Sequence, residues 1–170
     1  VRFEHLRLQQ RDGFTCGPSV AIVAAALLDD RYAEELGRPG WFDAEQTRLH
    51  RSLNRWWPRL LGTTPLGMVR ALPGNTYRWR CRRLRGDALL DVREAVLLGY
   101  PVPMLVGRFV PRHWVLLTEW RAGGFACWEP SSGATRLVPA ADIRHGRLRG
   151  VGFPRPFGFV LPSRMSAQRN

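Results

Sequence analysis

Lysine is absent from this chain, although its formal net charge is +12. All 26 basic residues are therefore arginine. So much positive charge invites a nucleic-acid reading, because basic surfaces hold phosphate through counterion release. Exclusive use of arginine fits instead a biased, GC-rich coding sequence. The arginines are also scattered, with one local concentration at Arg78, Arg80, Arg82, Arg83 and Arg85. The plainer reading is a solvated arginine-rich face, and nucleic acid is set aside as a partner.

Cysteine is scarce. Cys16, Cys81 and Cys127 are odd in number and widely spaced, which argues against a disulfide framework. No CxxC or HxxxH pair occurs, so a structural zinc site is not expected. Long apolar runs are missing as well. The longest, Val20 to Leu28, is half of the roughly 18 residues that a membrane span needs. Val1 to Gln10 is charged and has no signal-peptide core, so a cytoplasmic location is expected. No internal repeat is visible. What remains, 45% hydrophobic and 24% charged, suits a globular chain. One domain over residues 1–162 is expected, with a frayed polar tail at 163–170.

Hydrophobic patterning divides the chain. Residues 2–8 alternate loosely, as a short strand would. Gly17 to Leu28 reads as a helix with Pro18 in its first turn, apolar on every face and hence buried on every face. Shorter helices are expected at Asp29–Gly37, Asp43–Trp56, Pro65–Leu72 (capped by Thr64) and Asp87–Leu98. Tyr77, Trp79 and Cys81 alternate with arginines, as in a half-exposed strand. Further strands are expected at Val102–Val106, His113–Trp120, Phe125–Trp128, Thr135–Val138 and Phe157–Leu161, with a hairpin turn at Gly123-Gly124. Helices first and strands later imply an α+β fold.

Four residues stand out chemically. Cys16 sits at the start of the buried helix, where unpaired N–H groups and the helix dipole favour a thiolate. Gly17 after it permits close backbone approach. His113 begins an apolar strand, whereas His5, His50 and His145 lie in polar surroundings. Glu129 ends a short strand before Pro130 and could orient an imidazole. Gln10 could donate N–H groups to a developing oxyanion beside the Cys16 amide. Each alone has a commoner explanation: a packed thiol, a structural histidine, a surface acid, a polar loop residue. Cys81 and Cys127 read as small packing residues. Trp41, Trp56, Trp57 and Trp114 could line a cleft but are given no role.

Taken together, the order Gln, Cys, His, acid resembles the bacteriocin-processing peptidases. These are papain-like cysteine peptidases that cut after double-glycine leaders, and a wider set of bacterial domains is similar to them. The resemblance lies in the run from Gln10 to Pro18 (QRDGFTCGP), in GYPVP from Gly99, in HWVLL from His113, and in Trp128-Glu129-Pro130 with Gly133. It spans roughly residues 8 to 138. It implies a papain-like fold, a buried central helix packed on a C-terminal antiparallel sheet, Cys16 as nucleophile, His113 as base and Gln10 in the oxyanion hole. Glu129 falls where that family usually has Asp, a departure of one methylene. The implied activity is a thiol-dependent hydrolase acting on a peptide or isopeptide bond, with a peptide or protein substrate and no metal or organic cofactor. An acyltransferase, a deamidase and a non-catalytic binding module remain open alternatives on the same fold.

Overall fold

The computed structural model describes residues 6, 8–53, 62–73, 77–81 and 87–163. Most of the expected strand at 2–8, the last turn of the Asp43–Trp56 helix, Trp56, Trp57, His5, Arg82, Arg83, Arg85 and the tail beyond Ser163 lie outside these residues.

Four helices come first: α1 (Cys16–Leu28), α2 (Asp30–Leu36), α3 (Trp41–Leu53) and α4 (Pro65–Ala71). Strand β1 (Tyr77–Cys81) and helix α5 (Ala88–Leu97) follow. Then come β2 (Val102–Gly107), β3 (Pro111–Arg121), β4 (Gly124–Glu129), β5 (Ala134–Pro139), α6 (Ala140–His145) and β6 (Arg155–Pro162). The fold is α+β. Its six-stranded sheet has the order β1-β6-β2-β3-β4-β5, with every neighbouring pair antiparallel.

The sheet is covered on both faces, and strand alternation decides which residue goes where. Leu105, Trp114, Leu116, Trp128 and Val160 pack with α1 in one core. Their neighbours Met104, Val106, Val115, Leu117, Cys127, Phe159 and Leu161 pack with α5 and α6 in a second. Helix α1 is apolar all round because it is enclosed: every residue from Cys16 to Ala24 is buried. Thr64 caps α4 by accepting from the Gly67 amide at 3.0 Å, and Asp87 caps α5 through Leu89 at 3.1 Å. Arg80 pairs with Asp91, joining β1 to α5.

Three expectations need correction. His113 does not open its strand; β3 begins at Pro111, and its first two residues are exposed. The hairpin turn lies one residue earlier than expected. Ala122 and Gly123 both have positive φ, and Gly124 already pairs with Arg121 in β4. Two central residues with positive φ make a turn whose twist matches that of the strands. Helix α6 has no counterpart among the expected elements, because six residues after a proline are too few to show a period.

Besides the core packing, Thr63 links the sheet to α1. The Trp114 indole donates to the Thr63 carbonyl at 2.8 Å, and both residues are buried. The Thr63 side chain fills the place a Gly17 Cβ would need, 2.2 Å from its Oγ1. Trp114→Phe keeps the aromatic packing but leaves that carbonyl without its donor. It is expected to cost about 1–3 kcal/mol, read as a lowered urea midpoint at unchanged m. An unchanged midpoint would mean the bond contributes nothing.

Candidate active site

Local structure delivers each side chain. Cys16 is the first residue of α1, after Thr15, so its backbone N–H is among the first four that no helical carbonyl can accept. His113 lies on β3, and Glu129 is the last residue of the adjoining strand β4. Neighbouring antiparallel strands bring the two together. Leu116 is opposite Trp128, and the acid reaches back so that its Oε1 is 2.8 Å from His113 Nε2. The extra methylene of glutamate does not prevent that contact.

The carboxylate is tightly held. Oε1 also accepts from the Ser131 amide at 2.7 Å, and Oε2 accepts from the Ser132 amide at 2.9 Å. The surface acid at a turn that Glu129 could have been is not what is observed, since the residue is 5% exposed. Burial alone would raise its pKa, but the hydrogen bonds from His113 and from Ser131 and Ser132 prevail and lower it to about 2. Burial likewise works against a charged His113. Hydrogen bonds to the Cys16 and Glu129 side chains, with the charges of both, outweigh it and raise the pKa from its usual 6.5 to about 9. Nε2 is committed to Glu129, so Nδ1 is the ring nitrogen left for any second partner.

Gln10 engages its side chain within its own loop. Its backbone N–H donates to the Pro130 carbonyl at 2.7 Å, so its loop is joined to the turn that follows Glu129. Its side-chain Nε2 donates to the Asp12 carbonyl at 2.7 Å, and its Oε1 is buried without a partner. One amide hydrogen is thereby used within the loop and the second is not. Gln9 adds a bond to the Ser131 carbonyl at 2.5 Å. Gly133, at φ +68°, lies so close to the Leu8 carbonyl that a Cβ there would be 2.6 Å away. Segment 8–10 therefore lies across segment 129–133.

Two supporting groups escaped the sequence reading. Gln46 of α3 is fully buried and accepts from Ser19 Oγ at 2.9 Å and from the Arg11 amide at 3.0 Å. It ties the Gln10 loop to α1 one turn after Cys16. A serine inside an otherwise apolar helix was the available signal. Gly152, with φ +83°, faces the His113 ring, and a Cβ there would be 3.2 Å from Cδ2. Nothing in the sequence marked it.

The other cysteines take no part. Cys127 is fully buried, and burial together with the nearby Glu129 charge pushes its thiol pKa up. The Cys81 thiol donates to the Phe157 carbonyl at 3.6 Å. His145 Nδ1 contacts the Ala141 carbonyl at 2.7 Å, away from this cluster. Cys16 and His113 are themselves 2% and 6% exposed. Among the described residues no group of His, Cys, Asp and Glu could hold a metal ion, and no helix is long and apolar enough to cross a membrane.

The pair should leave a signature in stability against pH. A His113 pKa raised to about 9 stabilises the fold fully below 6.5, and this is lost as pH rises through about 9. A Glu129 pKa lowered from 4.5 to about 2 stabilises it above 4.5, and this is lost as pH falls through about 2. Glu129→Gln is therefore expected to flatten both limbs of the urea midpoint plotted against pH. A variant curve parallel to the wild type would contradict the pairing.

No family model and no curated protein matches this chain. Among solved structures it is similar to the crystal structure of a double glycine motif protease from an AMS/PCAT transporter in complex with the leader peptide. The identity is 15%, the TM-score is 0.49, and the match covers 91% of this chain and 86% of the other. At those values the likeness carries no weight for residues or activity.

Proposed function

We propose that this chain is a papain-like thiol hydrolase acting on a peptide or isopeptide bond through Cys16, His113, Glu129 and Gln10. The observation that carries the reading is a buried histidine bonded at 2.8 Å to a held carboxylate, with its charged form favoured further by the side chain of Cys16 at a helix start. That is the relation of nucleophile, base and orienting acid that acyl transfer needs.

With the Cys16 proton held on His113 Nδ1 as a thiolate–imidazolium pair, the sulfur attacks the carbonyl carbon. A C–S bond forms as the carbonyl electron pair moves to oxygen. The Cys16 N–H and the Gln10 amide hold that oxyanion, the first being ready at the helix N-terminus and the second using its remaining hydrogen. His113 gives its proton to the leaving nitrogen as the C–N bond breaks. It then takes a proton from water, which attacks the acyl group and breaks the C–S bond, so that the thiolate and the charged ring are restored. Glu129 fixes the ring and stabilises its charged form throughout.

The near-complete burial of Cys16 and His113 favours a second reading, a cleft that binds without turnover. An acyltransferase or a deamidase would share the acyl-enzyme and differ in product: a new amide, or released ammonia.

Alkylation followed by mass spectrometry separates these without a known substrate. Iodoacetamide is expected to modify Cys16 faster than Cys81 or Cys127 near neutral pH. His113→Ala should slow the Cys16 reaction about 100-fold or more. Iodoacetate, an anion, should react at Cys16 faster than its neutral analogue while His113 is charged, and lose that advantage as pH rises through about 9. Cys16 reacting no faster than the other two, or indifferent to His113→Ala, would leave only the binding module.

A further inference from the structure

Charge along the chain is less even than the count of 26 arginines suggests. Residues 95–118 and 143–170 contain no aspartate or glutamate at all. Folding brings parts of both segments to one end of the sheet, around His113. The turn between β2 and β3 carries Arg108, Phe109 and Val110, and β6 begins at Arg155, opposite Gly107. On the other side of His113, Gly152 faces the imidazole, and the Arg136 side chain packs against Gly150, 2.9 Å from where a Cβ would be.

The tip of that turn is unusual in two respects. Phe109 is 76% exposed and Val110 is 55% exposed, an apolar pair left in water. The guanidinium groups of Arg108 and Arg155 both approach the Phe109 ring, at 5.5 and 5.8 Å from its centroid. Two like charges gathered on one ring repel each other, and no carboxylate among the described residues pairs with either. Arg112, also exposed, extends the positive charge to the residue before His113. A carboxylate laid between Arg108 and Arg155 would relieve the repulsion, and an apolar side chain beside it would cover Phe109 and Val110. Val110 is three residues from His113, about 10 Å along an extended strand. An extended peptide covers that length with about three residues.

We propose that this arginine-flanked tip receives an acidic segment, interspersed with apolar residues, of the peptide on which the site acts. The inference rests on the hydrolase reading for what lies at the other end of the peptide, and it names the chemistry of the substrate. A nucleic acid could also use arginines around an exposed ring, but it offers no peptide carbonyl to Cys16, and base stacking wants an open ring face.

The test is fluorescence anisotropy on the whole 170-residue chain carrying Cys16→Ala, so that binding is read without turnover. The probes are a short fluorescein-labelled peptide alternating glutamate with leucine, the same peptide with lysine for glutamate, and single-stranded oligothymidylate. The acidic peptide should bind and the basic one should not. Arg108→Glu with Arg155→Glu should weaken the acidic peptide about 10-fold, the size expected when two exposed ion pairs are removed. The milder pair Arg108→Ala with Arg155→Ala, and Phe109→Ala alone, should each weaken it less. Arg31→Glu with Arg51→Glu, an equal charge change on α2 and α3, should leave binding unaltered. Equal binding of both peptides, or equal weakening by the α2 and α3 reversals, would overturn the proposal in favour of diffuse charge. Tighter binding of the oligonucleotide at physiological salt, abolished by the Arg108 and Arg155 reversals, would overturn it in favour of a nucleic-acid surface. Failed docking with rapid Cys16 alkylation retained removes this inference alone, whereas slow alkylation removes the hydrolase reading whatever the peptides do.

Discussion

The bond between His113 Nε2 and Glu129 Oε1 is the constraint around which the site is organised. It commits one ring nitrogen, and together with the Cys16 side chain it favours the charged imidazole against a burial cost that acts the other way. The carboxylate can do this because it is itself immobilised: the Ser131 and Ser132 amides hold it in the turn after β4. A free glutamate has one more rotatable bond than aspartate, and its extra reach would ordinarily blur the geometry. Here the turn removes that freedom, so the longer side chain reaches the ring from a fixed base.

The rest of the fold serves to bring α1 to that end of the sheet. The covering of the sheet on both faces leaves α1 enclosed, and Gly17 lets Thr63 close onto the helix one residue after the thiol. The Thr63 carbonyl in turn holds the indole one residue after His113. On the other side, Gln46 joins Ser19 to the Gln10 loop, and that loop is bonded to Pro130 and Ser131 beside the acid. Cys16, His113, Glu129 and Gln10 are thus linked through a polar network that is buried at Ser19 and Gln46 and reaches the surface at Gln9 and Arg11. Such networks give a site its precision.

Much of this was legible in the residues. The helix after Cys16 announced its burial by being apolar on every face, and β2, β3, β4 and β6 announced themselves by short apolar runs between turn residues. Glu129 was legible only through its place before Pro130 and after an apolar strand. The supporting groups were not legible, for a physical reason. Gln46 and Thr63 are polar residues whose burial is decided by distant partners, and local pattern does not report it. Gly152 matters through its contact with a ring 39 positions earlier in the chain. The early start of β3 was hidden by Pro111 and Arg112, which look like loop until pairing with Gly107 makes them strand.

Arginine distribution adds a second layer to the same geometry, since the acid-free segments meet where the imidazole is. Whether the site works as described depends first on the charge state of that ring. The most direct measurement is the nitrogen chemical shifts of His113 by NMR, titrated in the wild type and in Cys16→Ala. Both ring nitrogens are expected to carry protons at neutral pH, with the imidazolium persisting up to about 9 and its pKa falling when the thiol is removed. A neutral imidazole at pH 7, unaffected by removal of the Cys16 thiol, would contradict the account.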